Sequence, residues 1–303
     1  MVVEFKSGDR LTLGASMTSA VNLSGLAWNL DAPGTPIVLI HGWLDNAASF
    51  SVLGPMLARE LKTAPVIAID LPGHGKSPWK PDGGDYAIWN YTGELVEFIT
   101  SLQGVGAPIS VVAHSLGASV ALCLAAAFPE FVKSLVILDS PGPLVTADRD
   151  FASQLRQGIE ALGTVRESRS FENTQQAVTA RSKATPQLSH GDIEPLVHRN
   201  LIEIKGQGLQ WSTDPRLKIA SKVRMSEGQV EGLMSAVTCP VFSIRASEGI
   251  VPKAMFEARM AYLQNTDVIE IAGHHHCHME PAVAQVLVPE VAAFLSSAVS
   301  KAC

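Results

Sequence analysis

Two clusters of residues could do chemistry together. Ser115 stands in the stretch VVAHSLGA, residues 111–118, and four histidines, His274, His275, His276 and His278, crowd into five positions near the end of the chain. A serine hydroxyl is a weak nucleophile; it attacks a carbonyl when a neighbouring base takes its proton and a third group holds that base. The histidines supply candidate bases. Ala113 and Gly117 flank Ser115 at two residues on either side, close to the G-x-S-x-G elbow in which small flanks let a serine project from a tight strand-to-helix turn. A serine at the head of a helix also has a plain role as an N-cap, so the pentapeptide does not decide the matter by itself.

The third group has two candidates. Glu248 lies just past a strand-like run, and Asp139 ends an earlier one; either carboxylate could accept the Nδ1–H of an imidazole and stabilise its charged form. Either could also be an exposed loop charge, and Glu248 could simply favour the dipole of a helix starting near Pro252. Imidazoles beside Cys277 invite a zinc reading, but neither a CxxC pair nor an HExxH motif accompanies them. No metal and no cofactor are expected.

These groups need a scaffold that gathers them. Strand-like segments at 24–30, 36–41, 65–70, 109–113 and 134–139 alternate with helix-like ones at 47–61, 89–102 and 116–128. Such alternation predicts an α/β fold, a mostly parallel sheet covered by helices on both faces, with ligands at the carboxyl ends of the strands. After Gly142 and Pro143 the rhythm stops. Residues 144–236 are more polar, with helix-like stretches at 151–162, 170–183 and 192–202 and no strongly apolar strand, which predicts an inserted helical lid. Strand and helix character then return at 239–245, 252–263, 267–271 and 281–297. The expected division is a core of 1–143 and 237–303 with a cap of 144–236.

Composition sets outer bounds. The 303 residues are 47% hydrophobic, enough for an extensive core. A net charge of −6 with no run of Lys or Arg argues against nucleic acid or an acidic membrane surface as partner. The partner expected is a small-molecule substrate; oligomeric state is left open. The longest apolar stretch, 120–128, is too short to span a bilayer, and the first residues carry no apolar leader, so the expectation is a soluble cytoplasmic protein. Cys123, Cys239, Cys277 and Cys303 are widely spaced and read as free thiols of a reducing compartment. The tail, residues 300–303, matches neither a peroxisomal nor a prenylation signal.

With these residues in view, the sequence resembles the α/β-hydrolase fold family over essentially the whole chain outside the lid. HGWLDNAASF (41–50) is similar to the family's oxyanion loop, DLPGHGKS (70–77) to its D-x-x-G-x-G-x-S turn, AHSLGA (113–118) to its elbow, and GHHHCHMEP (273–281) to its histidine segment. The resemblance is greatest to the serine hydrolase-like (kraken-like) branch. It implies the chain order nucleophile, acid, base. In the family a histidine stands five residues before an acidic residue followed by proline; counting back from Glu280 selects His275 as base, with His274 as runner-up. The family's acid position falls on Glu248, with Asp139 as runner-up, and Ala246 replaces a common glycine. The implied oxyanion donors are the backbone N–H groups of Trp43 and Leu116.

The implied activity is hydrolysis of a carboxylester or thioester through an acyl-enzyme. Serine at the elbow disfavours the haloalkane dehalogenases and epoxide hydrolases of the same fold, which carry aspartate there. Carbon–carbon bond hydrolases and acyltransferases remain alternatives, as does a small-molecule sensor with little turnover. His41 and His74, in glycine-flanked turns, read as loop-fixing residues, and His114 as a packed neighbour of the elbow.

Overall fold

The computed structural model describes residues 1–13, 15–102, 108–165 and 168–300, with side chains to residue 297. Cys303 and most of the tail lie outside the described residues. Three short strands open the chain: β1 (Val2–Phe5), β2 (Arg10–Leu13) and β3 (Ser16–Ala20). β1 and β3 are mostly exposed and β2 is exposed at every second residue, so none leaves the continuous apolar run that marks a buried strand. Then follow β4 (Gly25–Trp28), β5 (Ile37–Ile40), α1 (Leu53–Leu61), β6 (Val66–Ile69), α2 (Ile88–Ser101), β7 (Ile109–His114), α3 (Leu116–Ala127) and β8 (Val132–Leu138).

An eight-stranded sheet has the order β1-β4-β6-β5-β7-β8-β12-β13, where β12 (Val241–Glu248) and β13 (Thr266–His274) come late in the chain with α8 (Lys253–Met260) between them. From β6 onward every neighbouring pair is parallel, while β1 and β4 join antiparallel at one edge. The expected α/β architecture is present.

The central strands are apolar throughout because both faces are covered. Val38, Ile40, Val111, Ala113, Leu135 and Ile137 face a core built with α2 and α3. Their neighbours Ile37, Leu39, Val112, Val136 and Leu138 face the opposite core, built with α1 and α9 (Pro281–Ser300). The two-residue alternation of a strand assigns each side chain to its face. The middle of α3, from Gly117 to Ala125, is buried on all sides, which fits its run of small and apolar residues.

Between β8 and β12 the chain adds α4 (Phe151–Leu162), β9 (Ser170–Phe171), α5 (Thr174–Ser182), α6 (His190–Arg199), β10 (Leu201–Ile204), β11 (Gly208–Trp211) and α7 (Glu227–Ser235). The segment is not purely helical: β9, β10 and β11 form a small antiparallel sheet. Their residues are short in run and half-exposed, so hydrophobic contrast did not reveal them. The segment has its own small core around Phe171, Val178, Ile193, Leu196 and Val197. By contrast α7 buries Val230 and Met234 in the main core. Buried ion pairs fasten the insertion down. The guanidinium of Arg199 donates to both oxygens of Asp70 at 2.8–3.0 Å, and that carboxylate also accepts from the N–H groups of Ala47 and Lys76.

Candidate active site

Ser115 occupies the turn between β7 and α3 with φ 50° and ψ −114°. That backbone region is sparsely populated by residues with a Cβ, so it persists only where the surroundings impose it. They do so here: the Ser115 N–H donates to Leu138 O at 3.2 Å, and the Ser115 carbonyl accepts from Ser140 Oγ at 3.0 Å. A side chain at Gly117 would put its Cβ 2.3 Å from Ile40 O. Glycine is what lets α3 start so close to β5.

The loop after β13 places one of the four histidines against this serine. His275 Nε2 lies 2.9 Å from Ser115 Oγ, and His275 Nδ1 lies 2.6 Å from Asp139 Oδ2. A carboxylate only accepts, so Nδ1–H donates to Asp139 and Nε2 is left to accept the serine O–H. Asp139 is buried, has φ 43°, and receives the N–H of Ala246 on Oδ1 at 3.0 Å. Gly249 makes room for it, since a Cβ there would sit 2.4 Å from both carboxylate oxygens.

The carboxylate beside His275 is therefore Asp139 and not Glu248. Both acids end strands at the same sheet edge, but β12 runs on past β8 and carries Glu248 out to an exposed position level with His274. Glu248 makes no hydrogen bond to His275; the positive φ of Asp139 and the N–H of Ala246 fix the other carboxylate instead.

The remaining histidines are engaged elsewhere. His274 accepts the His276 N–H on Nδ1 at 3.1 Å and sets Nε2 2.8 Å from Glu280. His276 Nε2 faces Asp45 Oδ2 at 3.4 Å. His278 packs between Phe50 and His114, and burial holds its pKa well below the ordinary imidazole value. His114 is more than a packed neighbour. Its Nε2–H donates to the carbonyl of His275 at 2.8 Å, tying the residue before the serine to the loop that carries the imidazole. Burial lowers the His114 pKa to about 4, so the ring is neutral.

His41 and His74 do fix loops. His41 accepts the Leu71 N–H on Nε2 and donates from Nδ1 to Gly42 O, and His74 Nδ1 donates to Pro72 O. Burial lowers both, His74 to about 3. Trp43 is half-exposed, with its indole N–H on Leu217 O at 2.9 Å. Leu116 opens α3, where the first backbone N–H groups have no helical acceptor. Among the described residues Cys123, Cys239 and Cys277 are free thiols; burial pushes Cys277 up to about 12, which makes it a poor nucleophile. Among the described residues no group of His, Cys, Asp or Glu is arranged to hold a metal ion, and no helix is long and apolar enough to cross a membrane.

Comparison with known proteins agrees with this architecture. Residues 35–280 match the alpha/beta hydrolase fold family. A serine hydrolase-like protein of Danio rerio is 30% identical over 271 residues, 85% of this chain and 80% of the relative. Another from Dictyostelium discoideum is 27% identical over 290 residues, covering 91% and 79%. Among solved structures, a hypothetical protein of Pseudomonas aeruginosa aligns with a TM-score of 0.82 at 27% identity, over 97% of this chain and 99% of that one. A thioesterase domain from the curacin biosynthetic pathway shares the fold at a TM-score of 0.79 and 19% identity, covering 96% and 99%. The chain belongs to the α/β-hydrolase fold family, in its serine hydrolase-like branch. That membership supports hydrolase activity.

Proposed function

We propose that the protein is a serine hydrolase that cleaves a carboxylester or thioester bond of a small to medium uncharged substrate through an acyl-enzyme. The observation that carries this reading is the continuous chain Ser115 Oγ, His275, Asp139, with separations of 2.9 and 2.6 Å. In the first step Ser115 Oγ bonds to the carbonyl carbon while its proton passes to His275 Nε2; the imidazolium then protonates the departing alcohol or thiol as its bond to carbon breaks. Water enters, gives a proton to His275 and attacks the acyl carbon; the same proton returns to Ser115 as the acid leaves. Asp139 keeps Nδ1 protonated and stabilises the imidazolium.

The backbone N–H groups of Leu116 and Trp43 are the proposed oxyanion donors, each contributing about 3 kcal/mol to the transition state. Residues 144–236, with their own small core and their ion pairs to the sheet, act as a cap over the carboxyl edge of the strands. Treatment with a fluorophosphonate followed by peptide mass spectrometry tests the assignment. An adduct on the peptide bearing Ser115, abolished by His275→Ala, is expected. Absence of any adduct on folded protein contradicts it.

A further inference from the structure

We propose that Asp45 is a positioning residue that keeps the Trp43 turn and the His275 loop in register, with Arg181 of the inserted segment as its counter-ion. The inference rests on the serine-hydrolase reading and names a residue outside the chain of Ser115, His275 and Asp139.

Asp45 stands two residues after Trp43, in the turn closed by its own N–H to Gly42 O at 3.2 Å, and its carboxylate is fully buried. One oxygen accepts from Arg181 Nη2 at 2.6 Å. The other lies 3.4 Å from His276 Nε2 and 3.7 Å from His114 Nδ1. His276 follows the proposed base in the chain, and His114 precedes the proposed nucleophile. One carboxylate thus meets the oxyanion turn, the strand that delivers the serine, the loop that delivers the imidazole, and the insertion.

The packing leaves no slack between these parts. A Cβ on Gly42 would fall 2.8 Å from His114 Nδ1 and 3.1 Å from Asp45 Oδ2. A buried carboxylate is costly unless it is paired. Burial acts to raise the Asp45 pKa, but the neighbouring His276 and the Arg181 guanidinium hold it well below the ordinary carboxylate value, so it is charged. The pair Arg199–Asp70 fastens the same insertion to the sheet without contacting His275, His276 or His114. What sets Asp45 apart is therefore its neighbours, not its burial. Misplacing a reacting group by about 1 Å costs about 100-fold in rate, and this carboxylate lies against the chain neighbours of two such groups, His114 before Ser115 and His276 after His275. It follows that seating of the insertion through Arg181 is a condition for full activity.

The test compares wild type with Asp45→Asn, Arg181→Gln and Arg181→Lys. The readouts are kcat and KM for p-nitrophenyl butyrate, the second-order rate of fluorophosphonate labelling at Ser115, and the thermal midpoint. Asp45→Asn is expected to lose about 100-fold in kcat and in labelling with KM little changed; Arg181→Gln falls in the same direction and Arg181→Lys recovers most of that loss. Asp45→Asn that is folded and labels at the wild-type rate overturns the inference alone. If Asp45→Asn does not fold, Arg181→Gln decides, and wild-type kcat there overturns the inference equally. Losses that follow the folded fraction alone also overturn it. A wild type that neither turns over nor labels overturns the serine-hydrolase reading, and this inference with it.

Discussion

Asp139 Oδ2 stands 2.6 Å from His275 Nδ1, while Glu248 is exposed at the end of β12 beside His274 in the register of the sheet. The carboxylate against His275 therefore directly follows β8, the strand next to the serine's own, on the near side of the insertion in sequence.

Asp139→Asn is expected to lower kcat by about 10⁴-fold, because an amide at that site no longer enforces the imidazole tautomer, and Glu248→Gln to leave kcat close to wild type. Gly249→Ala, whose Cβ would meet the Asp139 carboxylate at 2.4 Å, should lose activity as well. Steady-state kinetics of the three variants check this. A large loss at Glu248→Gln with none at Asp139→Asn would reverse the assignment.

His275→Ala should abolish nearly all turnover, since removing one member of such a set costs about as much as removing all of it. His274→Ala leaves the imidazole on Ser115 in place and should lose far less; its contacts are to the His276 N–H and Glu280. His276→Ala should fall between the two, because Asp45 keeps Arg181. Equal losses at His274 and His275 would contradict the placement of the base.

Acid should destabilise the fold through its buried histidines. His41, His74, His114 and His278 all have lowered pKa values, chiefly by burial, with His74 near 3 and His114 about 4. Unfolded, each titrates near 6.5, so the unfolded chain takes up protons that the folded chain refuses, and stability falls as pH drops from about 6.5 toward about 4. The slope is at most about 1.4 kcal/mol per pH unit for each histidine. Asp45, held well below its ordinary value, contributes stability that is lost only at still lower pH. Urea unfolding at pH 7.5, 5.5 and 4.5 reads the slope; a flat profile would contradict the neutral buried rings.

Arg199→Ala strips the guanidinium from Asp70, whose carboxylate is fully buried. Leaving such a charge unpaired costs about 3–5 kcal/mol. Chemical unfolding should show that loss, and a change under about 1 kcal/mol would mean that the pair is not closed in solution.

The sheet was legible because its central strands, such as Ile37–Ile40 and Val66–Ile69, are buried on both faces and so read as unbroken apolar runs. Ser115 was legible because a polar pair interrupts such a run just before a helix of small residues. The choice of carboxylate was not legible. Asp139 and Glu248 both end strands at one edge, and what separates them is a positive φ, one backbone N–H and the length by which β12 outruns β8, none of which has a signature in residue type. The small sheet of the insertion escaped for a related reason: Leu201–Ile204 and Gly208–Trp211 are half-exposed, and the period of a four-residue strand is hard to tell from a helix boundary. Asp45 was passed over inside HGWLDNAASF because its partner Arg181 lies 136 residues away.

The central claim is acyl transfer at Ser115, and hydrolysis of p-nitrophenyl acetate, butyrate and octanoate by wild type and Ser115→Ala, side by side, tests it most directly. The account predicts turnover by the wild type that falls by about 10⁴-fold or more in Ser115→Ala, with a chain-length profile that sizes the pocket. Equal hydrolysis by the two proteins, or silence from both, would contradict it.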